Sequence, residues 1–357
     1  MTNADIARQR LHSQHLTRPT FEAAVDAVRW LVAVQSQDYA GAKWALGLRS
    51  QGLTDPDVDR AFNAGAILRT HVMRPTWHFV APEDIRWLLA LTAPRVHALN
   101  ATYYRKLELD DALLARSQAA LANALQGGQQ LTRAELGSAL AQAGIVAEGL
   151  RLGYIAMRAE LDALVCSGAR RGKQFTYALL EERAPLSRTL DRDEALAELS
   201  LRYYQGRGPA TVKDFSHWSG LTVADAKAGV EMVKSQLAQE VIDGQTHWLA
   251  ASTPAERQRA PSAHLLPNYD EYISSYADRS AVFDSRHAAM LDFSARPAYP
   301  HFLVMDGMIV GLWKRTLKKE TVIVELSPFT PLSDAAPRVV AAAQRYGEFL
   351  GLNVVLG

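Results

Sequence analysis

The sequence predicts a mainly α protein with β wings (α+β): three tandem winged-helix motifs followed by a β-rich C-terminal portion. Two observations carry most of that reading. Apolar residues at helical spacing give way to strand-like alternation, and this order of helices followed by a short ribbon recurs along the chain. A third is a change in composition beyond Leu265, where apolar strand-like runs alternate with tight turns.

Residues 1–81 make the first motif. A short helix is expected over 6–14. Pro19 and Thr20 then start a stronger one, in which Phe21, Val25, Val28, Leu31 and Val32 recur at helical spacing. A further apolar piece spans 44–48, and Thr54 before Pro56 and Asp57 marks another helix start, closed by Gly65. The period then changes, with Ile67, Arg69, His71 and Met73 alternating against Leu68, Thr70 and Val72; Trp77 and Phe79 follow Pro75, giving two short strands. A helical connector over 82–130 comes next, its first helix expected to end near Pro94.

The second motif, 131–182, has the clearest pattern. Thr132 and Glu135 have capping-box spacing, Tyr154, Met157, Leu161 and Leu164 form one helical face, and a polar tip precedes the alternation of Phe175, Tyr177 and Leu179. The third motif, 183–250, repeats the order more weakly. Residues 251–357 form a C-terminal α/β portion, with strands over 301–305, 308–313 and 321–326, an Asp306–Gly307 hairpin turn, a basic connection over 315–319 and a last helix over 335–350.

The chain has 357 residues, 48% of them hydrophobic and 22% charged, which suits two or three folded units rather than disorder. Its net charge of +1 gives no global basic field, so nucleic-acid binding would have to come from local patches. The single cysteine, Cys166, excludes intrachain disulfides, thiolate zinc sites and cysteine-held iron–sulfur clusters. No apolar leader or membrane-length run stands out, so a cytoplasmic protein is expected.

The ten histidines are scattered and no HExxH occurs; His71 and His78 read as satisfied polar residues on a ribbon. Walker, GxGxxG and GxSxG patterns are absent, and neither metal nor cofactor is expected. The Asp270–Glu271 pair between Tyr269 and Tyr272 reads as a hydrogen-bonded corner more readily than as a catalytic pair. Basic residues concentrate at Arg170, Arg171 and Lys173 on the second wing and at Lys314, Arg315, Lys318 and Lys319 beside Trp313. Such runs are either solvated loops or grips for DNA phosphates.

The segment Gln35-Ser36-Gln37-Asp38 interrupts an apolar helix. On a continued helix the two amides would point about 200° apart, whereas in an extended chain residues i and i+2 share a face. By its chemistry the segment reads first as a polar surface cap. Converging amides could hold a water and a substrate, although an amide is no general base near neutral pH.

Residues 28–96, beginning VRWLVAVQSQDYAG, resemble the AlkZ-like DNA glycosylases, a family related to the YcaQ-like glycosylases. The resemblance continues through the second motif and into HLLPNYDEY at 264–272 and VGLWKR at 310–315. It implies three winged helices in a C-shaped arrangement and a monofunctional glycosylase without lyase activity. Such an enzyme removes cationic N-alkylated purines, N7-alkylguanine above all, from double-stranded DNA, and some members unhook interstrand crosslinks. The family's Gln–aliphatic–Gln signature falls on Gln35-Ser36-Gln37; the YcaQ-like branch has aspartate in the last place, and Ser36 departs from the aliphatic middle. Gln37 is assigned to the water and Gln35 to the sugar or its partner amide, or the reverse, with Asp38 in support. DNA contacts are expected from Arg69, Arg74, His78, Arg170, Arg171, Lys173 and the Trp313–Lys319 hairpin. The resemblance also implies a nucleoid-associated bacterial monomer that needs no protein partner. Two rival readings are a winged-helix transcription regulator and a scaffold that binds lesions without releasing base.

Overall fold

The computed structural model describes residues 2–253, 261–287, 300–332 and 336–357. Contacts divide the chain into two compact units, one of Met1–Val58, Ala197–Trp218 and Val223–Gly357, the other of Asp59–Leu196 and Ser219–Thr222.

In the first unit the helix Ala24–Leu31 buries Ala24, Ala27, Val28 and Leu31, the stripe that its apolar spacing requires. It stops at Val32, whose φ of 63° and ψ of −52° put a β-branched residue in a γ-turn conformation that costs about 1–3 kcal/mol. Complete burial of the Val32 side chain holds the turn in place. The chain leaves it as the strand Ala33–Gln35 rather than as more helix. Asp38 then restarts helix, its carboxylate accepting the Gly41 N–H at 3.2 Å at the head of Tyr39–Gly47.

The C-terminal sheet of this unit has the strand order Asn353–Leu356, Thr321–Pro328, Met308–Leu317, His301–Met305, Ala263–Leu266, antiparallel except for the first pair. The helix Ala336–Leu350 packs beside it; the expected start at 335 lies outside the described residues. Trp44 ties the N-terminal part to this layer. Its indole N–H donates to the Leu265 carbonyl at 2.7 Å, and its ring packs against Tyr346 and Phe349.

One strand is longer than the sequence reading. Met308–Leu317 runs through Arg315, beyond the strand end expected at 313 and into the expected connection over 315–319. Alternation explains the extension: Trp313 is buried, Lys314 exposed, and Arg315, on the Trp313 face, donates to the Tyr346 hydroxyl at 2.8 Å.

In the second unit the strands Leu68–Val72 and Arg74–Val80 form the expected antiparallel ribbon. The helix Ile85–Lys106 continues through Pro94 instead of ending there. Leu88, Leu89 and Val96 are buried on both sides of the proline, and that packing outweighs the missing backbone hydrogen bond. The second winged motif is built as its spacing predicts. The Thr132–Glu135 capping box opens the helix Arg133–Gln142, Gly149–Leu161 follows, and Leu131–Thr132, Thr176–Leu179 and Val165–Ser167 pair as the wing. Leu121, Leu136, Leu140, Ile155 and Val165 share its core.

The third motif keeps its element order, with helices Arg192–Arg207, Val212–Ser219 and Val223–Val233 before the hairpin Leu237–Ile242 and Gln245–Ala250. No described helix is long and apolar enough to cross a membrane.

Candidate active site

After the strained turn at Val32 the chain is extended through Gln35, and Gln37 follows in a bend before the next helix. Gln35 ends the strand Ala33–Gln35 and is 9% exposed, Ser36 is fully buried and Gln37 is exposed. Burial therefore extends from Ala33 through Ser36, and Gln37 is the first exposed side chain. Had the helix continued, Gln35 and Gln37 would diverge.

A buried carboxylate holds this strand from behind. Glu271 Oε1 accepts the Gln35 backbone N–H at 2.9 Å. Its Oε2 accepts from Arg207 at 2.8 Å, from the Trp218 indole at 3.0 Å and from the Ser275 hydroxyl at 2.6 Å. Arg207 also donates to the Ala33 carbonyl at 3.0 Å, so one ion pair grips both ends of the strand. Burial alone would raise the Glu271 carboxyl, but Arg207 and the hydrogen bonds from Ser275, Arg207 and Gln35 bring it down to about 2.

The neighbouring Asp270 makes a second buried pair with Arg49, both Arg49 amino groups reaching its two oxygens at 2.8 and 2.9 Å. The acidic cluster is thus the hydrogen-bonded corner that its composition suggested, and it is wired to the catalytic candidate strand. Nothing in the sequence pairs Arg207 with Glu271 or Arg49 with Asp270, since the partners lie far apart along the chain. The flanking tyrosines were the one local signal.

On the open side, Asp38 is shared between the helix start at Gly41 and Arg315, whose guanidinium lies 3.5 Å from its Oδ2. A Cβ on Gly41 would lie 2.8 Å from Asn268 Oδ1 and 3.0 Å from Asp38 Oδ2, so glycine is what lets these two side chains approach the helix end. The Asn268 N–H donates to His301 Nδ1 at 2.9 Å, and the imidazole packs against Trp313. Burial, then Arg315, depress His301 to about 4 against the opposing pull of Asp38, so the ring is neutral at physiological pH. Asn268 falls within the HLLPNYDEY stretch but carries no assigned role in the sequence reading, and His301 has no motif of its own.

The expected DNA contacts separate by exposure. Lys314, Lys318 and Lys319 are exposed and make no ion pair among the described residues. Trp313 is 1% exposed and donates to the Leu266 carbonyl at 2.8 Å; burial makes it a support beneath the hairpin rather than a contact on it. In the second unit, Arg170 lies 3.5 Å from Asp59 and Arg171 lies 2.7 Å from Glu135, while Lys173 is exposed. Arg69 is buried between the rings of Trp77 and Phe175, at 4.3 and 4.5 Å, and His78 is fully buried with Nδ1 3.0 Å from the Thr76 carbonyl. Burial withdraws both from the outer surface; Arg74, at the head of its strand, is half-buried. His71 points away from His78, as the strand register requires, and meets Glu160 at 2.5 Å.

A family model described as DNA glycosylase AlkZ-like matches residues 28–349. A curated relative from Streptomyces sahachiroi, named an interstrand DNA cross-link repair glycosylase, is 25% identical over 363 residues, covering 94% of this chain and 92% of that protein. The solved structure of the Streptomyces sahachiroi DNA glycosylase AlkZ superposes with a TM-score of 0.81 at 20% identity, covering 100% of both chains, and so shares the fold.

Proposed function

Because the chain belongs to the AlkZ-like DNA glycosylase family and is a DNA glycosylase, we propose that it hydrolyses the N-glycosidic bond of cationic N-alkylated purines in double-stranded DNA. N7-alkylguanine is the principal substrate and N3-alkyladenine a second. The observation that carries this reading is Gln35 on a strand gripped by Glu271 and Arg207, with Gln37 and the Asp38 carboxylate two and three residues on.

Alkylation at N7 places a positive charge on guanine and weakens its bond to the sugar. When that bond breaks, the bonding electrons neutralise the base, so no general acid is needed. Water adds to the oxocarbenium-like sugar carbon and loses its proton to solvent, leaving free base and an intact backbone with an abasic site. The protein's task is positioning and electrostatic stabilisation. Gln37 holds the water, Gln35 contacts the sugar, and Asp38 contributes negative charge near the developing cation. Interstrand crosslinks joined through purine N7 carry the same cationic leaving group, so the same chemistry releases them; the relative named for crosslink repair supports that extension.

Incubation with duplex DNA bearing one N7-methylguanine tests the reading: free base and alkali-labile abasic sites should appear together. Tight binding to one DNA sequence, with the lesion left in place, would instead identify a winged-helix regulator.

The exposed lysines of the hairpin give a separate expectation. Changing Lys314, Lys318 and Lys319 to alanine should lower the slope of log binding constant against log salt by roughly 2 to 3, at about 0.9 per phosphate contact. An unchanged slope would place the DNA elsewhere.

A further inference from the structure

The second unit contains a cavity of about 590 Å³ whose wall is unlike the glutamine site. Three cationic residues line it, Arg69, Arg133 and Lys173, together with the aromatic rings of Trp77, Phe175 and Tyr177; no carboxylate does. Its volume lies within the roughly 300–1,000 Å³ of small-molecule sites.

The wall is a stack of planar groups. The Arg69 guanidinium lies 4.3 Å from the Trp77 ring centroid and 4.5 Å from that of Phe175, and the His71 ring lies 4.3 Å from Trp77 on the same ribbon. This packing fixes a positive charge among aromatic surfaces, an arrangement suited to a planar, electron-rich ring. The other two cations stand outside it. Lys173 is exposed on the wing turn and makes no ion pair or side-chain hydrogen bond among the described residues. Arg133 is exposed in the first turn of its helix and donates to the Gly149 carbonyl at 2.8 Å.

A planar apolar region with fixed positive charge and two cations beside it matches a ligand that is aromatic at one end and anionic at the other. An inorganic anion would leave most of the volume empty, and an apolar ligand would leave Lys173 and Arg133 facing it without a counter-charge. We infer that this cavity binds a single nucleotide, its base against the Arg69–Trp77–Phe175 wall and its phosphate on Lys173 and Arg133. The nucleotide comes either from solution or from an unpaired position in DNA, where extrusion of one base from the stack costs only a few kcal/mol. The inference does not depend on the roles of Gln35 and Gln37.

Fluorescence anisotropy of the full chain with 1,N6-etheno-deoxyadenosine monophosphate tests it. The probe should bind saturably, and the corresponding nucleoside, lacking phosphate, should compete about tenfold less well. Lys173→Ala should weaken the probe about tenfold by removing one charge-assisted contact. Ala134→Phe, at an exposed lining position, should abolish binding by filling the cavity without disturbing the core. Stronger displacement by a duplex with one unpaired nucleotide than by a fully paired duplex assigns the ligand to DNA; displacement by neither assigns it to free nucleotide. Absence of saturable binding, or wild-type binding by both variants, overturns the inference. Failure of the glutamine assignment would show separately, as base release that survives loss of the amides.

Discussion

Replacing Gln35 and Gln37 together with alanine should slow release of N7-methylguanine by about a thousandfold while DNA binding persists. Loss of one oriented hydrogen-bonding group at a site of developing charge commonly costs about 10²–10³ in rate. If the water and sugar contacts act as a unit, either single change removes most of the benefit, and the double variant falls little further. Single-turnover excision at saturating protein separates this loss from weaker binding. Base release at the wild-type rate by the double variant would remove the glutamines from the mechanism. The physical reason for a large effect is that the site is built in advance. The strand Ala33–Gln35 is fixed by hydrogen bonds to a buried ion pair, so little reorganisation is left for the moment of reaction.

Glu271→Gln should cost about 3–5 kcal/mol of stability, because it leaves the Arg207 charge buried without its partner. Urea unfolding measures this, and an unchanged midpoint would show that the pair contributes little. The carboxylate also fixes a pH dependence. Its folded value of about 2 lies below the ordinary 4.5, so the stability it lends is complete above 4.5 and is lost as pH falls through about 2. The buried imidazoles of His264 and His301 act in a higher window. Both are held near 4 rather than 6.5, so their protonation destabilises the fold as pH drops from 6.5 toward 4. The glutamine variant should retain the upper window and lose the lower one.

Periodicity made the second wing legible nearly residue by residue, because Thr132, Glu135, Tyr177 and Leu179 follow local rules of capping and alternation. It misjudged Pro94, where packing on both sides overrides a local breaker, and Arg315, where a charged residue continues a strand by turning toward a tyrosine hydroxyl. At the glutamines the sequence showed that helical period fails but not how it is replaced. That depends on a positive φ at Val32, a conformation that valine rarely adopts and that no residue type announces. Ser36, the departure from an aliphatic middle, is fully buried, and local spacing gives no sign of that core position. The ion pairs beneath the site were invisible for a different reason: hydrogen bonding between distant residues leaves no mark on local spacing.

That distance bears on how the protein is made. The bond from Gln35 to Glu271 spans 236 residues, and the bond from Ala33 to Arg207 spans 174. At a translation rate of about 5–20 residues per second, the glutamines leave the ribosome on the order of 10–50 s before the carboxylate that anchors them is synthesised. The nascent chain therefore carries its reactive motif unassembled through most of synthesis. The clamp cannot close until Arg207 and Glu271 have both emerged, so competence is delayed until the C-terminal part of the chain has been made.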